Sequence, residues 1–351
     1  MMAQRNFYFD NLKGILVTLV VLFHLIPSNI ELSLQIMYCF VFMFHMPFFI
    51  LISGYFSKNR EKQARKAFSL FFLYYILSLF LYIFHTQEVY IDIENIKNIE
   101  FSYKLFLQPF ISHGYASWYL GVLLLLRIIC PFFTNIKHYV GLSFVVGIIG
   151  SILEIDQYII RRTLLMLPFF AVGYFLSKYK YEDLKKFFVS KVFALVGLFI
   201  TFGIFLVFFY VLSKVDIEFI GSLFALGDIP LWDVFPRKIF LVLYDISYYF
   251  ISFALMYFIA CLVNNKESSF TTFGSNSLSI YFFHAFVTLP VRQHILKPLL
   301  RSGGADMIFA VVFISLAVTA VLVFLLSRDT FVKYTISPLD KLSKKFMINK
   351  N

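Results

Sequence analysis

An all-α polytopic membrane protein, built as a bundle of about ten transmembrane helices with both termini cytoplasmic, is the fold this chain predicts. Three observations carry that expectation. Of 351 residues, 60% are hydrophobic and only 15% charged, whereas soluble domains run nearer half apolar and a quarter charged. The apolar residues gather in ten runs on the scale of a bilayer. The basic residues alternate between successive connections. Of 31 Lys and Arg, 20 fall on segments sharing a side with the N-terminus, 10 on the other side, and Arg127 lies within a span.

The expected spans are 12–27, 34–56, 67–84, 116–133, 139–153, 163–176, 192–212, 239–263, 277–289 and 307–326. The first has a basic start and a short apolar run, like a signal peptide. No small-residue cleavage site follows Pro27, so it is expected to be retained. A basic block from Lys58 to Lys66 separates the second span from the third. The fourth holds Arg127 too deep to snorkel easily. The fifth, sixth and ninth are short, and are expected to tilt, extend at their ends or be partly re-entrant. Connections 86–115 and 213–238 are the longest and rich in carboxylates, and are expected to cap the outer mouth. The basic tail, 327–351, reads either as an amphipathic segment on the inner leaflet or as a solvated end.

No internal repeat or linker divides the chain, so residues 1–351 read as a single domain. Cys39, Cys130 and Cys261 all fall within spans and show no pairing pattern, which makes them core residues. The net charge of +11 is an orientation signal and argues against a nucleic-acid partner, since no soluble basic patch exists. Membrane lipid is the expected surroundings; oligomeric state is not legible. Gly-rich phosphate loops, zinc spacings and His-Glu-x-x-His are absent, so the chain offers no metal site and no basis for ATP hydrolysis.

Lys13 and His24 are the most informative pair. Their separation of 11 residues corresponds to about 1100° of helix, or three turns and roughly 20°, so they share one face. Asp10 lies within about 60° of Lys13. Acid, cation and imidazole on one stripe of an apolar span mark a functional path, because ionisable groups are costly there. A neutral imidazole in a partly dry site suits general-base work on a hydroxyl; the alternative is a lone histidine bonding a neighbouring helix. His45 either orients the first helix or positions His24 or an acyl donor. Ser53-Gly54 either permits close helix packing or contacts a donor. Arg127 is either a paired structural charge, with Asp245 as one partner, or an anion contact. Arg162, His284 and Trp118 carry the same two readings; Trp118 is either an interface anchor or a platform for a sugar ring.

Taken in order, these segments resemble a known family. Asp10-Asn11-Leu12-Lys13-Gly14 followed by His24 looks like the first-helix signature of the acyltransferase-3 family of membrane O-acyltransferases. Four later runs are similar as well: His45-Met46-Pro47 through Ser53-Gly54-Tyr55-Phe56; Ser117-Trp118-Tyr119-Leu120 with Arg127 and Pro131; Arg162-Thr163 with Leu167-Pro168-Phe169-Phe170 and Gly173-Tyr174; and Ser275-Asn276-Ser277 through Tyr281 with His284. Order and spacing resemble the branch of fucose-4-O-acetylase-like sugar O-acetylases. Lys13 stands where many relatives have arginine, and a lysine holds phosphate as a point charge without the bidentate fork. No esterase-like domain is appended, so any handover of acyl groups outside is expected to be made alone or with a partner.

The resemblance implies acetyl-CoA as co-substrate, with no permanently bound cofactor. It also implies a polysaccharide or lipid-linked saccharide as acceptor, in a multi-pass protein of a bacterial cell membrane. The expected catalytic residues are His24, Lys13 and Asp10. The expected donor contacts are Lys13, Arg127 and Ser53, and the expected acceptor contacts are His45, Trp118, Arg162 and His284. A polysaccharide exporter and a non-catalytic partner in polymer synthesis are the alternatives; the in-phase pair and the lack of a two-fold repeat argue against the exporter.

Overall fold

The computed structural model describes residues 6–27, 31–86, 117–153, 155–214, 220–224, 234–235 and 237–345, and every element among them is helical. The expected loop 86–115, from residue 87 onwards, and most of 213–238 lie outside the described residues.

The chain begins with α1 (Tyr8–Leu25), which ends where the backbone turns extended at Ile26 before Pro27. Next come α2 (Leu32–Phe42) and α3 (His45–Tyr55), two halves of one apolar stretch broken at Met43 and Phe44. They are followed by α4 (Arg60–Thr86), α5 (Trp118–Phe133), α6 (Tyr139–Ile152) and α7 (Tyr158–Leu176). A short α8 (Tyr181–Lys185) leads to α9 (Lys191–Ser213), α10 (Ile220–Phe224) and α11 (Lys238–Leu262). The rest of the chain comprises α12 (Ser269–Ser275), α13 (Ser277–Phe283), α14 (Ala285–Val291), a π-turn (Arg292–Leu296), α15 (Lys297–Gly303), α16 (Ile308–Leu326), α17 (Asp329–Tyr334) and α18 (Ile336–Lys345).

Six stretches are long and apolar enough to cross a membrane: Tyr8–Leu25, Leu32–Tyr55, Tyr158–Leu176, Lys191–Ser213, Lys238–Leu262 and Ile308–Leu326. Three more, Ala67–Ile83, Trp118–Phe133 and Tyr139–Ile152, are shorter apolar helices. The expected sixth span gains a turn at its start, which places Arg161 and Arg162 inside α7. The expected ninth span, read as short and as tilted, extended or partly re-entrant, is not one continuous helix. Residues 269–303 form a succession of short helices, broken at Asn276 (φ −105°, ψ 18°) and distorted by the π-turn. Pro290 and Pro298 each remove a backbone donor there.

Burial separates the helices by role. In α9 and α16 only 22% and 28% of the apolar window is buried, with Phe199 79% and Phe309 86% exposed, as suits helices bathed in lipid. In α7 the figure is 61%. The core is built on α1 and α7. Helix α1 packs against α3, α12, α13, α14 and α16, and α7 packs against α3, α5 and α6. Two crossings are set by glycine. Gly54 of α3 abuts the Phe170 backbone while Gly173 of α7 abuts that of Leu51, so no side chain fits at either. Gly14 of α1 abuts the Phe270 backbone, and Gly274 of α12 abuts that of Asp10.

A polar latch fastens the start of α1. Asn11 Nδ2 donates to the carbonyls of Asn264 (2.8 Å) and Lys266 (2.7 Å), and its Oδ1 accepts from Ser268 Oγ (2.9 Å) and Thr271 Oγ1 (2.6 Å). The Tyr8 hydroxyl donates to Ala260 O at 2.9 Å. The tail beyond α16 is helical as far as Lys345, with Phe331 edge-on to Phe283 at 5.2 Å and α18 against α4.

Candidate active site

Lys13 and His24 lie on one helix, and 11 residues of α-helix separate them by about 16 Å of rise. At the first end, Lys13 Nζ pairs with Asp10 Oδ1 at 2.9 Å, with side-chain exposures of 25% and 20%. That end carries the Asn11 latch and the Gly14–Gly274 crossing. Two residues of the expected signature, Asn11 and Gly14, therefore join helices. Next to it is an apolar cavity of about 530 Å³, bounded in part by Phe9, Leu12, Ile52, Tyr55, Tyr179 and Tyr181.

The other end is different in kind. His24 is on the last turn of α1 and half-buried. Its ring meets the His284 ring edge-on, with centroids 5.0 Å apart. His284 is fully buried, and its Nδ1–H donates to the carbonyl of Tyr281 (2.7 Å) and reaches that of Ile280 (3.2 Å). In the neutral ring this leaves Nε2 as a lone-pair acceptor, and Nε2 has no hydrogen-bond partner. One turn further on, Thr288 is also fully buried with Oγ1 unpartnered. Arg292 and His45 are also within electrostatic reach of His24.

His45 opens α3 at the break after α2 and is 1% exposed. Its Nδ1–H donates to Val41 O at 2.8 Å, which fixes the same tautomer as in His284. Arg162 is within electrostatic reach of it. That guanidinium is 2% exposed and lies 4.0 Å from the Trp118 ring centroid and 4.7 Å from that of Tyr158. Trp118 is thus a buried partner of a cation, and an expected ring platform has a guanidinium over it. An aromatic path leads from there to the histidines. Tyr119 meets Tyr281 at 5.2 Å, and Tyr281 is 5.8 Å from His284.

Ser53 Oγ lies 3.3 Å from Tyr119 OH, so it sits on the edge of this cluster and away from His24's own neighbours. Arg127 pairs with the Gln63 side chain and is 8% exposed. Asp245, the partner considered for it, lies against Ser151 instead. The geometry therefore gathers His24, His284, His45, Arg162 and Trp118, and sets Lys13 and Asp10 at the far end of α1. Sequence reasoning missed Thr288 and Arg292. The one signal available was the spacing of four from His284 to Thr288 and of four from Thr288 to Arg292, in a segment that the break at Asn276 disguises.

Chemically, the His24 end offers imidazole nitrogens in a largely dry setting, a hydroxyl and a guanidinium. That set can hold a hydroxyl, take its proton and stabilise negative charge beside it. Neither a curated protein nor a solved structure was found to match the chain. A family model described as "Acyltransferase domain" matches residues 6–328, from just before α1 to just past α16. With helices suited to crossing a membrane several times and a match over nearly its whole length, the chain belongs to the acyltransferase-3 family of membrane acyltransferases.

Proposed function

We propose that this protein is an O-acetyltransferase of the cell membrane. It moves acetyl from acetyl-CoA to a sugar hydroxyl of a surface polysaccharide or its lipid-linked precursor. The observation that carries the reading is the His24–His284 contact at the buried end of α1 in a chain of this family. His24 acts as general base. It takes the acceptor's hydroxyl proton as the oxygen attacks the thioester carbonyl, and returns it to the departing CoA sulfur. A thioester is already activated, so positioning and proton transfer are the main tasks left to the protein.

Lys13 holds the donor's anionic part electrostatically, with Asp10 as its resting partner at 2.9 Å. With the termini on the cytoplasmic side, as the charge bias favours, the donor approaches past Lys13 and the acceptor reaches His24 from the opposite side. His45 and Arg162 support the site, and Arg127 and Ser53 border it.

The test is acetyl transfer per molecule of folded protein in membranes. His24→Ala should lose about 10²–10⁴-fold in rate, the usual contribution of a positioned base, while inserting normally. Near-normal transfer by that variant would sink the assignment and favour a non-catalytic role.

A further inference from the structure

Helix α13 leads to His284 from a joint in the backbone. It has seven residues, starts after the break at Asn276 and ends at Phe283, one residue before the histidine. Helix α12 is pinned to α1 by the Gly14–Gly274 crossing. At Asn276, however, the backbone leaves helical angles (φ −105°, ψ 18°), so α12 does not pass that placement on as a single rigid rod would. A helix of two turns set free in this way takes its position from what it touches. Packing against α1 and α16 supplies part of it. The chain beyond α16 supplies the rest, through one contact at each end of α13.

The first contact is at the joint itself. The Asn276 N–H donates to Thr272 O (3.1 Å), closing α12, and its carbonyl accepts from the N–H groups of Ser279 (3.0 Å) and Ile280 (3.3 Å), opening α13. Its side-chain Nδ2 reaches across to the start of the tail, donating to Ser327 O at 2.8 Å and to Asp329 Oδ1 at 3.1 Å. A bond to a carboxylate is the stronger kind. The second contact is at the far end, where Phe331 of α17 meets Phe283 edge-on at 5.2 Å. The tail has a fixed base from which to grip. Arg328 lies over the Phe324 ring at 3.8 Å, Ile336 is buried, and α18 packs against α4.

We propose that Asp329 and Phe331 are positioning residues: acting through Asn276 and Phe283, they strap α13 so that the His284 ring stands edge-on to His24. Both lie past residue 328, where the match to the family ends, so the strap is a device that this chain adds to the matched domain. Its effect on turnover rests on the acyl-transfer reading, but the placement of His284 does not.

Two readouts on the full chain test it. One is radiolabel passing from acetyl-CoA into the polysaccharide of native membranes, per folded molecule. The other is the spectrum of isotope-labelled histidine nitrogens in nanodiscs, with the His284 signal assigned by its loss in His284→Gln. In Asp329→Ala/Phe331→Ala, kcat should fall about tenfold, since misplacing a site by about 1 Å can cost up to about 10²-fold. The KM for acetyl-CoA and the melting temperature should hold, and the His284 signal should move. Asp329→Asn/Phe331→Tyr keeps the accepting oxygen and the ring, and should restore both kcat and the signal. Asp329 is exposed, so Asp329→Ala alone carries the same readouts should the double variant fail to fold. An unmoved His284 signal or a wild-type kcat overturns the strap. So does a fall in kcat that tracks a lowered melting temperature or a raised KM, which would make the tail a general brace. Transfer by His24→Ala, with the His284 signal still moved in the alanine variants, would remove the base and leave the strap standing.

Discussion

The two ends of α1 are built from similar materials and do opposite things. At the Lys13 end the described polar groups are matched: buried Asn11 makes four hydrogen bonds and Asp10 pairs with Lys13. At the His24 end, buried polar atoms of His284 and Thr288 go without partners. Unsatisfied buried groups cost free energy, so a fold that satisfies one end so fully and leaves the other wanting has not done so for stability. The matched end is a fastening, and the unmatched end is fit to receive a ligand.

The comparison can be broken in stages. The largest effect is expected from Gly274→Leu, because a side chain there meets the Asp10 backbone. It should prevent the crossing of α1 and α12 and abolish accumulation in the membrane, measured by fluorescence-detected chromatography; normal accumulation would mean the crossing is dispensable. Asn11→Ala should come next, lowering stability by about 1–3 kcal/mol by stranding its partners. Transfer per folded molecule should survive, and its loss would show that the fastened end takes part in chemistry. Lys13→Ala should raise the KM for acetyl-CoA several-fold with a smaller change in kcat, and Lys13→Arg should restore most of it. An unchanged KM would leave Lys13 as a purely structural partner of Asp10. Ser53→Ala should matter least, changing stability by less than about 1 kcal/mol, since it loses only one long contact with Tyr119. A large drop in transfer would move Ser53 into the site.

Local geometry explains which parts were legible. The phase of Asp10, Lys13 and His24 follows from 3.6 residues per turn, and nothing distant alters it. Long apolar runs such as 192–212 and 307–326 read correctly because lipid imposes both length and composition. The contact of His24 with His284 joins residues 260 positions apart, and no spacing rule reaches that far. The π-turn hides in an ordinary run, Arg292-Gln293-His294-Ile295-Leu296, with no sequence mark beyond the prolines on either side. Arg162 was readable as a charge at a helix end, but its place between Trp118 and Tyr158 depends on an extra turn of α7 that apolar counting omits. Asn11 reads as a small polar residue beside a lysine. Its role needs the 264–271 segment in place.

That dependence bears on how the protein is made. Asn11 is synthesised among the first residues, yet its four partners lie at positions 264 to 271. At ~5–20 residues per second, the ribosome needs on the order of tens of seconds to supply them. Throughout that interval the start of the first helix carries an amide whose native companions do not exist. Contacts so distant in sequence form late and slowly. Completion of the first helix's anchorage thus waits on nearly the last quarter of translation, and a nascent chain stalled before residue 264 would expose a ready target for membrane quality control.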